Sequence, residues 1–178
     1  PRIIPYSAKA LLLKEISLYY NNMKYQRSGT AGMDREYQTT SEKKFKNCFL
    51  TSYDYGGEQL HLIRSTGPVG RRERAPVFEH ILKTNTSGRM FYILDNRGGH
   101  EIELTSADMN FLNDMLINGG ITYVRGAVIT NDEAYSILVS MAHAKAKASD
   151  FEIELISTTN HDEAETFVVS KLRDCLAP

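Results

Sequence analysis

Basic side chains that could bind phosphate groups are concentrated in the first half of this sequence. Lysine and arginine neutralise phosphates and release counterions, which gives salt-dependent affinity with little sequence preference. Tyrosines on the neighbouring predicted strands could stack on unpaired bases. Together these residue types predict a nucleic-acid-binding surface that consists of Lys43, Lys44, Lys46, Tyr53, Arg64, Arg71, Arg72, Arg74, Lys83, Arg89 and Tyr92.

Charge is divided unevenly along the chain. The 178 residues carry a formal net charge of −1. Residues 1–90 contain 15 lysines and arginines against 8 aspartates and glutamates, whereas residues 91–178 contain 6 against 14. Such an asymmetry indicates a basic surface for an anionic partner. The alternative is that the two halves interleave in space, so that their charges mix.

The most distinctive segment is the basic sequence Arg64-Ser-Thr-Gly-Pro-Val-Gly-Arg-Arg-Glu-Arg74. Gly67, Pro68 and Gly70 predict a bent, exposed loop, which would present its arginines to solvent. We therefore expect this loop to form the tip of the nucleic-acid-binding surface. A solvated loop beside a core of tyrosines and phenylalanines is the alternative interpretation.

Apolar periodicity predicts the strands that position these side chains. The pair Gly56-Gly57 is typical of a two-residue hairpin turn, and residues 77–83 could form either a strand or a short helix. Residues 26–44 show no regular spacing of apolar side chains, which predicts a long surface loop. Alternation of side chains predicts strands over residues 47–55, 58–66, 89–95, 100–104, 121–129 and 151–157.

Helical spacing and capping residues predict the helices. In the predicted helix 106–117, the expected buried stripe consists of Met109, Leu112, Met115 and Leu116, and Thr105 begins a capping sequence. The predicted helices cover residues 7–25, 106–117, 131–148 and 161–176.

These elements predict an α+β fold with a mixed, largely antiparallel sheet over residues 47–104 and about four helices. The order of the last elements predicts a C-terminal βαβα unit with parallel strands. We expect one domain, 1–178. It would comprise an N-terminal helix, a β-rich basic part and an acidic βαβα part, over residues 7–25, 45–117 and 121–178.

The order of two hairpins and a helix resembles the repeated unit of Whirly-type single-stranded-DNA-binding proteins. The similarity covers residues 47–117. It includes Ser87-Gly-Arg-Met-Phe-Tyr-Ile-Leu94 and, after a turn, His100-Glu-Ile-Glu-Leu-Thr105. The resemblance implies that sheet aromatics and basic residues hold single strands, with these roles falling to Tyr53, Lys83, Arg89 and Tyr92. We predict a non-enzymatic nucleic-acid-binding accessory protein that prefers single strands.

An enzyme is one alternative. Arg64, residues 84–87 and the pair Glu152 and Glu154 follow in an order that resembles ADP-ribosyltransferases. That resemblance implies that the arginine and a serine position NAD and that Glu154 stabilises the ribosyl cation. Glu152 and Glu154 could instead be alternating residues on a solvent-exposed strand face, with no catalytic role.

A metal-dependent nuclease is a weaker alternative, which would place Asp95, Glu101 and Glu103 around a divalent cation. The lysine that commonly follows such a glutamate pair is missing. The five histidines show no metal-binding spacing. We therefore expect no metal ion and no cofactor.

A self-assembling or partner-binding structural protein, of a kind that viruses also encode, is the remaining alternative. Asp162, Glu163 and Glu165 could bind a basic partner or the basic half of another copy, although acidic residues also suit a helix start. Cys48 and Cys175 lack any paired spacing and predict free thiols in a reducing compartment. Without a long apolar run or a signal-peptide pattern, we expect no membrane association and a cytoplasmic location, in the host cytoplasm for a viral protein.

Overall fold

The computed structural model describes residues 38–133 and 151–177. The predicted helix 7–25, and residues 134–148 of the predicted helix 131–148, lie outside these ranges. The elements of the described residues are, in chain order, β1 (Gln38–Phe45), β2 (Cys48–Tyr55), β3 (Glu58–Ser65), β4 (Val69–Gly70), α1 (Arg71–Thr84), β5 (Arg89–Asp95), β6 (Ile102–Glu103), α2 (Ser106–Asn118), β7 (Tyr123–Ile129), β8 (Glu152–Thr158) and α3 (His161–Leu176).

Six of these strands form one mixed sheet in the order β1-β2-β3-β5-β7-β8. The pairs β1–β2 and β2–β3 are antiparallel. The pairs β3–β5, β5–β7 and β7–β8 are parallel. The short strands β4 and β6 form a separate parallel ladder, which joins the segments that precede α1 and α2.

The predicted fold class, an α+β fold with a largely antiparallel sheet and about four helices, is wrong. Most strand pairs of the main sheet are parallel, and the described residues contain three helices. A parallel connection needs a crossover, and the segments that contain α1 and α2 supply one each. The fold is therefore an α/β fold. The parallel pairing expected of the last two strands is confirmed.

Helix α1 replaces the last part of the predicted basic loop, from Arg71 onward, and the strand that was one alternative for residues 77–83; residues 66–68 are irregular, as a bend at Gly67 and Pro68 requires. It begins directly after Gly70, so that Arg71, Arg72 and Arg74 lie in its first turns. Its buried residues include Val77 and Ile81, which are spaced one helical turn apart. The apparent alternation in this segment was too short to separate a strand from a helix.

The hairpin of β2 and β3 forms as predicted. Gly56 and Gly57 both have positive φ angles, 64° and 94°, as a type I′ turn requires. The predicted loop over residues 26–44 is wrong from Gln38 onward, because β1 pairs with β2 there. β1 is mostly exposed and polar, which is typical of a strand at a sheet edge, and its sequence therefore lacks the apolar alternation of an inner strand.

The helices cover both faces of the sheet. α1 and α2 pack on one face, where Val77, Ile81 and Leu112 join strand residues such as Leu50 and Met90 in one core cluster. α3 packs against β5, β7 and β8 and contacts the opposite face, where Lys171 pairs with Glu154. In the described part of the chain, no helix is long and apolar enough to cross a membrane.

A histidine is buried beneath α1. His61 is fully buried on β3, and its Nδ1 atom lies 2.9 Å from the Ser52 hydroxyl oxygen. Its Nε2 atom has no hydrogen-bond partner among the described residues. Burial lowers the pKa of His61 from 6.5 to about 4, and the nearby His80 contributes in the same direction. The folded protein therefore holds this imidazole neutral.

We expect acid to destabilise the fold through His61. Between about pH 6.5 and pH 4 the unfolded chain binds a proton at this histidine that the folded chain does not bind. The free energy of unfolding therefore decreases as the pH is lowered through this range. A shift from 6.5 to about 4 corresponds to a loss of about 3 kcal/mol. Urea unfolding at a series of pH values would measure it, and His61→Phe should flatten the slope. A matching change at the partly exposed His100 should leave the slope in place; equal slopes in wild type and His61→Phe would refute the assignment.

Candidate nucleic-acid interface

β1 is the edge strand of the sheet, and side chains of β1 and of the turn after it contact one side of α1. Basic residues line this contact, which we call the α1–β1 groove. The Lys43 Nζ atom is 3.3 Å from Nδ1 of His80, and the Phe45 ring meets the His80 ring edge at a centroid distance of 5.9 Å. One turn from the start of α1, the Lys46 Nζ atom is 3.1 Å from Oε1 of Glu73. The α1–β1 groove is defined by these contacts and by the outward side of α1; it consists of Lys43, Lys46, Arg72, Glu73, His80 and Lys83.

Helical geometry places the remaining cations at the rim of this groove. Arg72 and Lys83 are both exposed and are eleven residues apart, which is close to three helical turns. They therefore lie on one side of α1 together with the exposed Glu79, next to the side that presents Glu73 and His80. Lys44 alternates with Lys43 along β1 and lies on the other side of the strand, so it is not part of the groove.

Glu73 fixes the start of α1 within the groove. Its side chain is 8% exposed, and Oε2 accepts a hydrogen bond of 3.1 Å from the Gly70 backbone N–H. Chiefly the hydrogen bond from Lys46, with that from Gly70, lowers the pKa of Glu73 against the effect of burial. Glu73 therefore holds one cation of the groove and caps the helix with the same carboxylate.

The surroundings of His80 favour its neutral form. Partial burial, the ammonium group of Lys43 and that of Lys83 all lower the pKa of His80. An anion bound between Lys43 and Lys83 would offset their positive charge and would therefore raise the pKa of His80 again.

A second set of side chains joins α1 to α2 beside the groove. The Arg71 guanidinium carbon is 5.0 Å from the centroid of the Phe111 ring, and its Nε atom is 3.4 Å from Oδ1 of Asp108. Hydrogen bonds from Thr105 lower the pKa of Asp108. The starts of both helices therefore meet at one end of the groove, where Phe111 remains 46% exposed.

Other predicted binding residues lie away from the groove in ion pairs. Arg89 donates to Glu58 through Nε at 2.9 Å and through a second, shorter contact. Arg64 lies at the end of β3 opposite Asp95. Burial alone would raise the pKa of Asp95, but hydrogen bonds from Arg97, helped by the charge of Arg64, lower it. These arginines stabilise carboxylates of the fold.

The two predicted stacking tyrosines do not share a surface. Tyr92 is 9% exposed, and its ring packs against Phe78 of α1 at a centroid distance of 6.3 Å. Tyr53 is partly exposed and lies on the opposite sheet face, since its cross-strand partner is Leu60 whereas Tyr92 is paired with His61. Arg74 is half-buried in the small cleft beneath α1 that Tyr92 also lines.

The arrangement that resembled ADP-ribosyltransferases is spread across the sheet. Arg64 shares its register row with Thr158 of β8, three strands away, and Glu154 lies four residues earlier on that strand. Strand geometry puts Arg64 and Glu154 about 20 Å apart. Glu152 and Glu154 both contact the buried Arg125, so they neutralise a cation of the sheet.

One group of three potential metal ligands occurs in the described ranges, and it is not the predicted carboxylate set. His161 Nδ1 lies 4.0 Å from Asp162 and 3.9 Å from Glu165 at the start of α3. Asp95 ends β5 of the main sheet, whereas Glu103 belongs to the separate β4–β6 ladder. The acidic start of α3 is capped by Asn160, in keeping with the helix dipole.

Three residues of this region were not predicted from the sequence. Glu73 was hidden because its segment was interpreted as a loop, where it could not cap a helix. His80 carried no signal, since its role arises from contact with Lys43, 37 residues away. Phe111 did carry a signal: it lies outside the predicted buried stripe of its helix, which leaves a large aromatic ring facing solvent.

Comparison with known proteins adds no function to this geometry. No family model matches the sequence, and no curated protein matches it. Among solved structures, the chain is similar to an uncharacterized protein of the DUF3478 family with a SpoIIAA-like fold from Shewanella loihica PV-4, with 10% identity and a TM-score of 0.44. That similarity covers 79% of this chain and 99% of the other. Nothing in it concerns Whirly-type proteins.

We expect Glu73→Ala to lower the free energy of unfolding by about 1 kcal/mol, because it removes the carboxylate that caps α1. Urea unfolding at neutral pH would measure the change. Glu79→Ala is the matched control, since Glu79 is exposed on the same helix and should shift stability by less than about 0.5 kcal/mol. Equal effects of the two substitutions would contradict the capping role.

Proposed function

We propose that this protein is a non-enzymatic accessory protein that binds nucleic acid in the α1–β1 groove. The observation that carries the proposal is the contact of two cations, Lys43 and Lys46, with α1 at His80 and Glu73. Two more cations, Arg72 and Lys83, lie on the neighbouring outward side of α1, where Glu79 is also exposed. Lysine and arginine side chains in a groove track a phosphate backbone without reading its sequence. A cytoplasmic location is part of the proposal.

The length of the groove suits a short stretch of nucleic acid. Eleven residues separate Arg72 from Lys83 along α1, which is about 16 Å at 1.5 Å per residue. A stacked strand advances about 3.4 Å per nucleotide, so the groove accommodates about four or five nucleotides. This falls at the lower end of the site sizes of single-strand-binding domains.

The chemistry of the groove favours polyanions over small anions. Its cations are exposed and spaced along the helix, so no single phosphate could contact all of them. Lys46 is 79% exposed even though it pairs with Glu73, and a phosphate can therefore approach it from solvent. Such an array gains affinity by releasing counterions from several phosphates at once.

The proposal predicts that Lys83→Gln and Arg72→Gln weaken binding to a fluorescent single-stranded oligonucleotide. Fluorescence anisotropy between about 50 and 200 mM salt would give the salt slope, log K against log [salt]. Each lost phosphate contact should reduce the slope by about 0.7. Lys171→Gln removes the same charge from the opposite face of the sheet and should leave the slope unchanged.

Two outcomes would contradict the proposal. Wild-type protein that binds neither single- nor double-stranded DNA or RNA at low salt would remove its basis. Equal changes of slope in Lys83→Gln and Lys171→Gln would show that only net charge matters. If binding is absent but light scattering shows salt-sensitive self-association, the groove binds an acidic surface of a second copy instead.

Protonation of His80 should couple binding to pH. A bound phosphate offsets the charges of Lys43 and Lys83, so the pKa of His80 rises in the complex and binding takes up a proton. Affinity should therefore increase as the pH falls from about 7.5 to about 6. Titrations at constant ionic strength would measure this increase. His80→Gln should bind with a flat profile over the same range, and an unchanged profile in this variant would refute the coupling.

A further inference from the structure

Phe111 is the most exposed large apolar side chain in residues 38–133 and 151–177. Phe111 is 46% exposed, whereas Phe91 and Tyr92 of the sheet are 0% and 9% exposed. α2 is anchored to the core by Leu112 and Leu116, so Phe111 is not needed to bury the helix. Single exposed apolar side chains are common on protein surfaces, and what distinguishes Phe111 is the Arg71 guanidinium that lies against its ring.

Arg71 holds this ring at the start of α1, on the side of the helix that contacts α2. The guanidinium lies 5.0 Å from the ring centroid, within the range of a cation–π interaction. Asp108 fixes the guanidinium at 3.4 Å and is itself held by a 2.6 Å hydrogen bond from the Thr105 hydroxyl. The pair of Arg71 and Phe111 is therefore positioned by the capping network of α2.

The first turn of α1 connects the groove to this ring. Arg71, Arg72 and Glu73 occupy that turn, where Glu73 contacts Lys46 and Arg71 contacts Phe111. Residues two apart on a helix point in nearly opposite directions, so Phe111 is more than one helix diameter, about 10–12 Å, from Lys46. A strand whose phosphates follow Lys46 and Arg72 reaches Phe111 within a few nucleotides.

We propose that Phe111, supported by Arg71, is a base-stacking platform that makes the groove selective for unpaired nucleotides. The inference rests on the proposed function and names its partner, single-stranded nucleic acid with accessible bases. Stacking on an aromatic ring is tolerant of sequence, because every base has a π-face. In a duplex the bases are stacked on each other, and the ring finds no free base.

The test separates stacking from phosphate binding. Wild type and Phe111→Ala are titrated with a single-stranded oligonucleotide and with an abasic oligonucleotide of the same length and charge. Phe111→Ala should weaken binding to the normal oligonucleotide about 5- to 100-fold, with no change in the salt slope. On the abasic oligonucleotide, wild type and Phe111→Ala should bind equally.

Control variants keep the outcomes distinct. Ile117→Ala removes the other exposed apolar side chain of α2, 39% exposed, and should have no effect, whereas Phe111→Trp should retain selectivity. Unchanged affinity of Phe111→Ala, or an equal loss on the abasic oligonucleotide, would overturn the stacking role. If the stacking role fails but Lys83→Gln still reduces the salt slope, the proposed function stands. If the wild-type protein binds no oligonucleotide, both the stacking role and the proposed function are wrong.

Discussion

The parallel pairing of β3 with β5 is the constraint on which the rest of the structure depends. Two parallel strands cannot be joined by a tight turn, so the chain between Ser65 and Arg89 must cross the sheet. A helix makes this connection, and it buries Val77, Phe78 and Ile81 against the sheet. The basic sequence therefore folds as the start of a helix, and its cations meet those of β1 across a groove.

The same constraint produces an electrostatic conflict that is resolved locally. Three arginines occupy the first turns of α1, where the positive end of the helix dipole disfavours them. Glu73 and Asp108 offset this repulsion, since each is close to a cation and to a helix start. Sequences that break a local rule and compensate for it are typical of functional surfaces. The compensation leaves Arg72 exposed and Phe111 uncovered.

The sequence predicted what depends on neighbouring residues. The Gly56-Gly57 hairpin, strand β5 and helices α2 and α3 form where turn chemistry, alternation and caps indicated. α1 was missed because Gly67, Pro68 and Gly70 favour a loop locally, whereas packing on the sheet decides otherwise. The sequence predicted a stacking role for Tyr92 because the alternation of side chains cannot show which sheet face a later helix will cover. The groove itself joins residues far apart in the chain, so no local pattern contained it.

The separation of charge along the sheet explains how a chain with a net charge of −1 can present a basic groove. β1 and β8 are the two edge strands of the described sheet, and five strand spacings place them about 24 Å apart. The acidic pair Glu152 and Glu154 lies at the β8 edge, beside Arg125. Exposed charges are screened beyond about 8–10 Å at moderate salt. The carboxylates at the β8 edge are therefore largely screened from the cations of β1 and α1, so the local charge at these two elements does not follow the net charge of the chain.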